Sequence, residues 1–375
     1  MDERKYEFDN LKGILIFFVV LGHLIFSFSH NNSDLVQKTT SFIYFFHMPL
    51  FLIVSGYFSR KNISKENLLK LFFIFVAMNI SFTIYDYLVY GAFNLFQFKY
   101  SSWYILLLAL YRLIISNIIN EKTNMILLIS LLVAIIAGFF NTELFVLRIF
   151  ENWFYFVFGY SLIKNKQIHN LTIDKNFILL LLIFFLSIVF VISSEYSYNI
   201  YYYLGETYTR NKDAIVKLII CLTNAFVYVL SINILPKKEI PLLTKIGKNS
   251  LYIYILHRII TLVIGEYIIV DRKLILLLDI IMALLICLIL ASKPIVKLTS
   301  KIIDLFTNGY LRKNMILTII STLILITLFL FELYNKNIIN FEKKKLNNSN
   351  LISIGFVGDL ILLEEQVKNS KEILG

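Results

Sequence analysis

The chain is poor in the residues that punctuate or cross-link a fold: two cysteines, four prolines and 13 glycines in 375 residues. Cys221 and Cys287 both fall inside apolar runs, where a free thiol behaves as a small hydrophobe, so no disulfide framework is implied. So few turn formers also argue against a closed β-barrel, which needs many turns and alternates polar with apolar residues. Charge is scarce as well, at 16% of residues against 58% hydrophobic ones, and a mean hydropathy of +0.74 excludes two or three ordinary soluble domains. What the chain has in abundance is long apolar sequence, including 34 Phe and 23 Tyr. An all-α integral membrane protein is expected. The formal charge of +11 falls largely in short loops between apolar runs, which points to a bilayer surface and not to nucleic acid.

Apolar segments run over residues 11–29, 40–58, 68–90, 103–119, 124–140, 146–163, 176–193, 213–235, 250–270, 273–291 and 315–334. Most approach the ~20 residues that cross a bilayer, the fifth and sixth being the shortest. This predicts a polytopic bundle of about ten transmembrane helices plus an eleventh leading to a short extracytoplasmic tail. The first segment is too long, and lacks the small-residue cleavage site, for a signal peptide. Lys and Arg concentrate in alternate loops, around Arg60 to Lys70, Lys164 to Lys175, Lys237 to Lys248 and Lys293 to Lys313. The positive-inside rule then sets the N-terminus in the cytoplasm and the C-terminus outside, in the plasma membrane of the cell. Three regions follow: a transmembrane domain over 5–295, a cytoplasmic loop with the eleventh helix over 296–335, and an extracytoplasmic linker over 336–375.

Ionisable groups inside the spans are the candidates for chemistry, because each is costly in hydrocarbon unless it is paired or faces a wet cavity. Lys12 and His23 lie eleven residues apart on the first span. At 100° and 1.5 Å per residue they share one stripe, about 16.5 Å apart along the axis. An anionic group held at Lys12 can extend an arm toward His23. The second span carries Phe46-His47-Met48-Pro49, with His47 at nearly the depth of His23. Pro49 lacks an N–H and should leave a backbone carbonyl free near that level. The ninth span brings in His257 and Arg258, while Arg112, Arg148, Glu151, Asp86 and Asp279 are further buried polar candidates.

Plainer explanations compete with these. Lys12 at a helix end can snorkel to the interface, and His47 and His257 can be satisfied by helix packing. Arg148 and Glu151, three residues apart, can pair on one helix. Trp103 and Tyr201 to Tyr203 fit an interfacial aromatic belt. His23 is the exception, since it is deep, flanked by Val20, Leu21, Leu24 and Ile25, and shares a face with the span's other cation. A catalytic or relay role is favoured there.

The run Asp9-Asn10-Leu11-Lys12-Gly13-Ile14, the ten residues between Lys12 and His23, and Phe46-His47-Met48-Pro49-Leu50-Phe51 with Ser55-Gly56 together resemble the membrane-bound acyltransferase-3 family. The second motif is most similar to the fucose 4-O-acetylase-like branch, and residues 250–257 resemble the family's late-helix motif. The resemblance covers about residues 5–295, and Lys12 stands where many members carry Arg. It implies transfer of an acetyl or other short acyl group from acetyl-CoA to a hydroxyl of an envelope polysaccharide or lipid-linked sugar. Lys12 would then meet a coenzyme A phosphate, with His23 as general base and His47 as second base or oxyanion stabiliser. His257, Arg258, Arg112 and Glu151 would support the substrates, and no metal is expected in the transmembrane domain. A flippase for a lipid-linked sugar and a non-catalytic envelope-assembly protein are the rival classes, although the paired half-repeats of a transporter are not found. Near the C-terminus, Ile352 to Leu360 reads as a strand ending in Gly358-Asp359. It resembles the start of a capsule-synthesis metallophosphatase-like domain, with Asp359 as a metal ligand. It departs from SGNH hydrolases, which place Ser where Leu360 stands.

Overall fold

A computed structural model describes residues 5–28, 34–59, 64–91, 100–118, 123–140, 144–163, 171–195, 207–208, 212–267 and 275–304. The expected eleventh span and the segment around Asp359 lie outside the described residues. Twelve α-helices occur among those described: α1 Tyr6–Phe28, α2 Asp34–Tyr57, α3 Lys65–Tyr90, α4 Trp103–Ile118, α5 Thr123–Ala137, α6 Leu144–Ser161, α7 Lys175–Glu195, α8 Lys212–Ile234, α9 Pro241–Lys248, α10 Ser250–Tyr267, α11 Ile275–Leu290 and α12 Lys293–Asp304. No strand occurs among the described residues. Each of the first ten apolar segments coincides with a helix.

Length separates these helices into two sets. α1, α2, α3, α7 and α8 are long and apolar enough to cross a bilayer, and α11 with α12 makes a sixth if the pair, bent by 61°, counts as one span. α4 and α5, at 16 and 15 residues, reach only about 24 Å. The chain is a multi-pass membrane protein whose described part holds five to six full-length spans. Its outer faces match hydrocarbon: Met125, Leu128, Leu132 and Ile136 form an exposed stripe on α5, and Leu180, Phe184 and Val191 do so on α7.

Two compact units divide the chain. The larger comprises residues 1–68 and 107–301, and the smaller 69–106 and 302–375. In the smaller unit, α3 and a 3-10 turn at Tyr100–Ser102 are tied by Tyr100 donating to Asp86 Oδ1 at 2.7 Å and Ser102 to Asn79 Oδ1 at 3.0 Å. Trp103, expected in an interfacial belt, is instead buried at the start of α4.

In the larger unit α1 is the axis, touching α2, α8, α9, α10 and α11. Its middle is buried over most of its circumference, with Leu15, Ile16, Val19, Val20 and Leu24 at 1% exposure or less and Ile14, Phe17 and Phe18 half-buried, which fits the weak amphipathic pattern of its sequence. The two short helices that sequence hydropathy passes over, α9 and α12, are strongly amphipathic, and α9 packs against the first turns of α1. Asn10 fixes that contact: its Nδ2 donates to the carbonyls of Pro236 at 3.0 Å and Lys238 at 3.1 Å, and its Oδ1 accepts from Thr244 at 2.6 Å. The start of α1 and the Lys237–Lys238 loop thereby share one end of the bundle.

Close approach at this contact depends on glycine. A Cβ on Gly13 would run into the Leu243 carbonyl, and one on Gly247 into the Asp9 carbonyl and the Gly13 nitrogen. Gly56 and Gly159 do the same between α2 and α6, facing the Phe156 and Ile53 carbonyls. Gly13→Val is therefore expected to cost about 1–3 kcal/mol through forced separation of α1 and α9. A lowered melting temperature of the purified protein checks this, and an unchanged one counts against the packing described.

Candidate active site

α1, α2 and α10 bring three imidazoles together. The His23 and His257 rings are 5.3 Å apart between centroids, and Tyr44 sits between His23 and His47, with ring centroids 6.0 Å and 5.0 Å from each. Tyr44 Oη is 3.1 Å from His23 Nδ1 in a hydrogen bond that either group can donate. The equal depth expected for His23 and His47 is what permits this, and Tyr44, one helical turn before His47, closes the gap.

The partners of the other two rings fix their protonation pattern. A carbonyl oxygen can only accept, so His47 Nδ1–H donates to Ile43 O at 2.6 Å, and His257 Nδ1–H donates to Tyr254 O at 2.8 Å and Ile253 O at 3.2 Å. Both neutral rings then turn an Nε2 lone pair away from their own helix. The Nε2 of His257 is buried without a hydrogen-bond partner among the described residues. Exposure distinguishes the three further: His47 and His257 are 2% and 0% exposed, whereas His23 keeps accessible surface. Arg258 follows His257 on α10 and is buried at 3%.

Lys12 stands at the other end of α1, at the α9 contact. Its Nζ is 2.8 Å from Asp9 Oδ1 and 5.8 Å from the Phe58 ring, and its side chain is a quarter exposed. Lys5 donates to Tyr57 at 2.8 Å, and Lys248 pairs with Glu239 at 3.1 Å while lying 5.5 Å from the Tyr6 ring. Three ammonium groups thus collar this end of the bundle.

Glu151 and Arg112 come from α6 and α4. Glu151 on α6 pairs with Lys217 Nζ of α8 at 2.5 Å, and both side chains are at most 5% exposed. This interhelical partner is invisible to the single-helix spacing that suggests Arg148. Arg112 follows Tyr111 on α4, whose hydroxyl donates to Ile149 O at 2.6 Å, two residues before Glu151. Sequence reasoning also missed Tyr44, Lys217 and Asn224. Lys217 had a legible signal, being a cation inside an apolar run, while Tyr44 was hidden among aromatic neighbours. Among the described residues no group of three or more His, Cys, Asp or Glu side chains has metal-holding geometry.

A helical membrane bundle that gathers three histidines from three helices, two of them with fixed tautomers, and carries a basic collar toward the other end of one of those helices fits the class of intramembrane group-transfer proteins. The chain belongs to the acyltransferase-3 family: the family's acyltransferase domain matches residues 5–292. Over 68 residues it is 43% identical to nodulation protein NolL of Sinorhizobium fredii and 40% identical to nodulation protein NolL of Mesorhizobium japonicum, which is 18% of this chain in each case. Those matches span 19% and 18% of the relatives' own lengths. No solved structure matches the chain.

Removing either charge of the buried Glu151–Lys217 pair takes from the other the partner it meets across the helices, at a cost of about 3 kcal/mol or more. Glu151→Met and Lys217→Leu are each expected to lower the melting temperature. The double variant Glu151→Met with Lys217→Leu should recover most of the loss, and additive losses in this cycle would refute a direct pair.

Proposed function

We propose that the chain is an O-acyltransferase that moves an acetyl or other short acyl group from acyl-CoA to a hydroxyl of an envelope polysaccharide or lipid-linked sugar. The observation that carries this is the one accessible imidazole of the three, His23, held by Tyr44 beside two buried histidines. Family membership supports acyl transfer, and the Phe46 to Gly56 motif favours the fucose 4-O-acetylase-like branch.

His23 donates its Nδ1 proton to Tyr44 Oη and uses the Nε2 lone pair as general base on the acceptor hydroxyl. The alkoxide oxygen attacks the thioester carbonyl, the C–S bond breaks, and the proton held on His23 passes to the coenzyme A thiolate. Neither a net proton nor an electron is gained or lost. During the step His23 is an imidazolium whose Nδ1–H stays on Tyr44, and His47 and His257, each neutral, add no positive charge of their own to the group. Lys12, about 16.5 Å away along α1, meets a phosphate of the coenzyme at the basic end, exchanging Asp9 for the ligand. Arg258, Arg112 and Glu151 act in support, binding or positioning the acceptor. The acyl donor, acetyl-CoA, enters from the cytoplasm, and oligomeric state plays no part in this scheme.

His23→Ala should abolish transfer in a protein that still folds, and Lys12→Glu should weaken acetyl-CoA binding about tenfold or more while Lys12→Arg retains it. Label transfer from radioactive acetyl-CoA to envelope glycan, measured with binding on the same preparations, decides both. Undiminished transfer by His23→Ala would sink the mechanism.

The same proposal holds that about ten helices cross the plasma membrane, with an eleventh leading outside and the N-terminus cytoplasmic. A reporter fused after Lys238 should be cytoplasmic and one after Lys336 extracytoplasmic. Both on one side would mean that the number of crossings between them is even.

A further inference from the structure

Pro49 lies inside α2, yet the helix continues through it from Asp34 to Tyr57. In an unbroken helix the N–H of residue 49 would donate to the carbonyl of residue 45. Proline has no N–H, so the Phe45 carbonyl loses its ladder partner in a medium that offers no water. The vacancy is filled from another helix: Asn224 Nδ2 of α8 donates to Phe45 O at 3.2 Å. The second amide hydrogen goes to Ile220 O of its own helix at 3.0 Å, so both donors of the amide are committed and its orientation is fixed. Asn224 is 0% exposed and shares a face of α8 with Lys217 and Cys221 at helical spacing, both also buried.

The carbonyl concerned belongs to the peptide that joins Phe45 to Phe46. One residue before it is Tyr44, the hydrogen-bond partner of His23, and two residues after it is His47. Tyr44 holds the His23 imidazole by that hydrogen bond and packs against the His47 ring. A proline two residues beyond His47 loosens this turn of α2, and an amide from α8 pins it.

We propose that Asn224 is a positioning residue for the transfer reaction: its amide clamps the backbone carbonyl released by Pro49 and so holds the Tyr44–His47 turn in register with His23. It touches neither substrate. Its effect on rate runs through the Tyr44–His23 hydrogen bond, and in that respect the inference rests on His23 being the reacting group. The clamp itself is independent of what is transferred.

The test uses the full chain in nanodiscs with ring-15N-labelled histidine, the His23 signal being assigned with His23→Gln. Asn224→Leu is expected to shift the His23 Nδ1 resonance in the direction that Tyr44→Phe shifts it, and the double variant should add nothing further. With acetyl-CoA and an envelope-glycan extract, free thiol release should fall about tenfold or more in kcat, with KM for acetyl-CoA changed less than about twofold. The decisive control is Pro49→Ala, which restores an N–H to the Phe45 carbonyl. In that background Asn224→Leu should shift His23 little and cost less than about threefold in kcat. If Asn224→Leu fails to fold, recovery of folded protein in the Pro49→Ala background supports the clamp, and failure there overturns it. An unmoved His23 resonance, or an equal effect of Asn224→Leu with and without the Pro49→Ala change, also overturns it. Absence of turnover by the wild type would count against the acyl-transfer proposal alone, since the resonance shifts still decide the clamp.

Discussion

Hydrocarbon offers nothing to a hydrogen-bonding group, so each polar atom that enters the bundle has to find its partner inside the protein. That requirement sets the register of the helices more tightly than apolar contact does, because leucines and phenylalanines slide past one another at little cost while a carbonyl and an amide do not. Asn10 shows the effect, holding two carbonyls of the 236–238 loop and the Thr244 hydroxyl at once. Tyr111 joins α4 to α6 through the Ile149 carbonyl, Lys217 joins α8 to α6 through Glu151, and Asn224 joins α8 to α2. Glycines at the α1–α9 and α2–α6 contacts then let backbones come close enough for these bonds to form.

The histidine group makes use of the same rule. His47 and His257 spend their Nδ1 protons on carbonyls one turn back, which satisfies those nitrogens and leaves each ring with a lone pair directed elsewhere. His23 is not committed in this way: its Nδ1 meets a hydroxyl that can donate or accept. A ring whose proton pattern can change, beside two whose patterns cannot, is a suitable arrangement for moving a proton in a dry interior. Tyr44 makes this bond at low electrostatic cost, since a neutral phenol needs no counter-ion in the membrane.

α1 distributes the tasks along its length. Its first turns carry Asp9, Asn10, Lys12 and Gly13, which anchor α9 and form part of a basic collar, and its far half carries His23. The proposed donor, a polyanionic head with a long thioester arm, matches that separation. The Asp9–Lys12 ion pair keeps the ammonium satisfied at this end of the bundle.

The sequence by itself determined the class of protein and the level of its candidate site. Apolar runs of bilayer length require helices whatever their neighbours are, and ten of the eleven runs are helices among the described residues. The eleven-residue spacing of Lys12 and His23, the equal depth of His47, and the freed carbonyl at Pro49 follow from helix geometry alone, which is local. What helix geometry cannot give is rotation and neighbourhood. That Tyr44 rather than another aromatic meets His23, that Glu151 takes Lys217 from α8, that Trp103 is buried, and that Asn224 supplies the bond Pro49 gave up depend on which faces of distant segments meet. Short amphipathic helices such as α9 were likewise invisible to hydropathy, because their reason to form lies in the surface of α1 on which they rest. Those choices are made by polar satisfaction and close packing between helices far apart in the chain, and only the tertiary structure decides them.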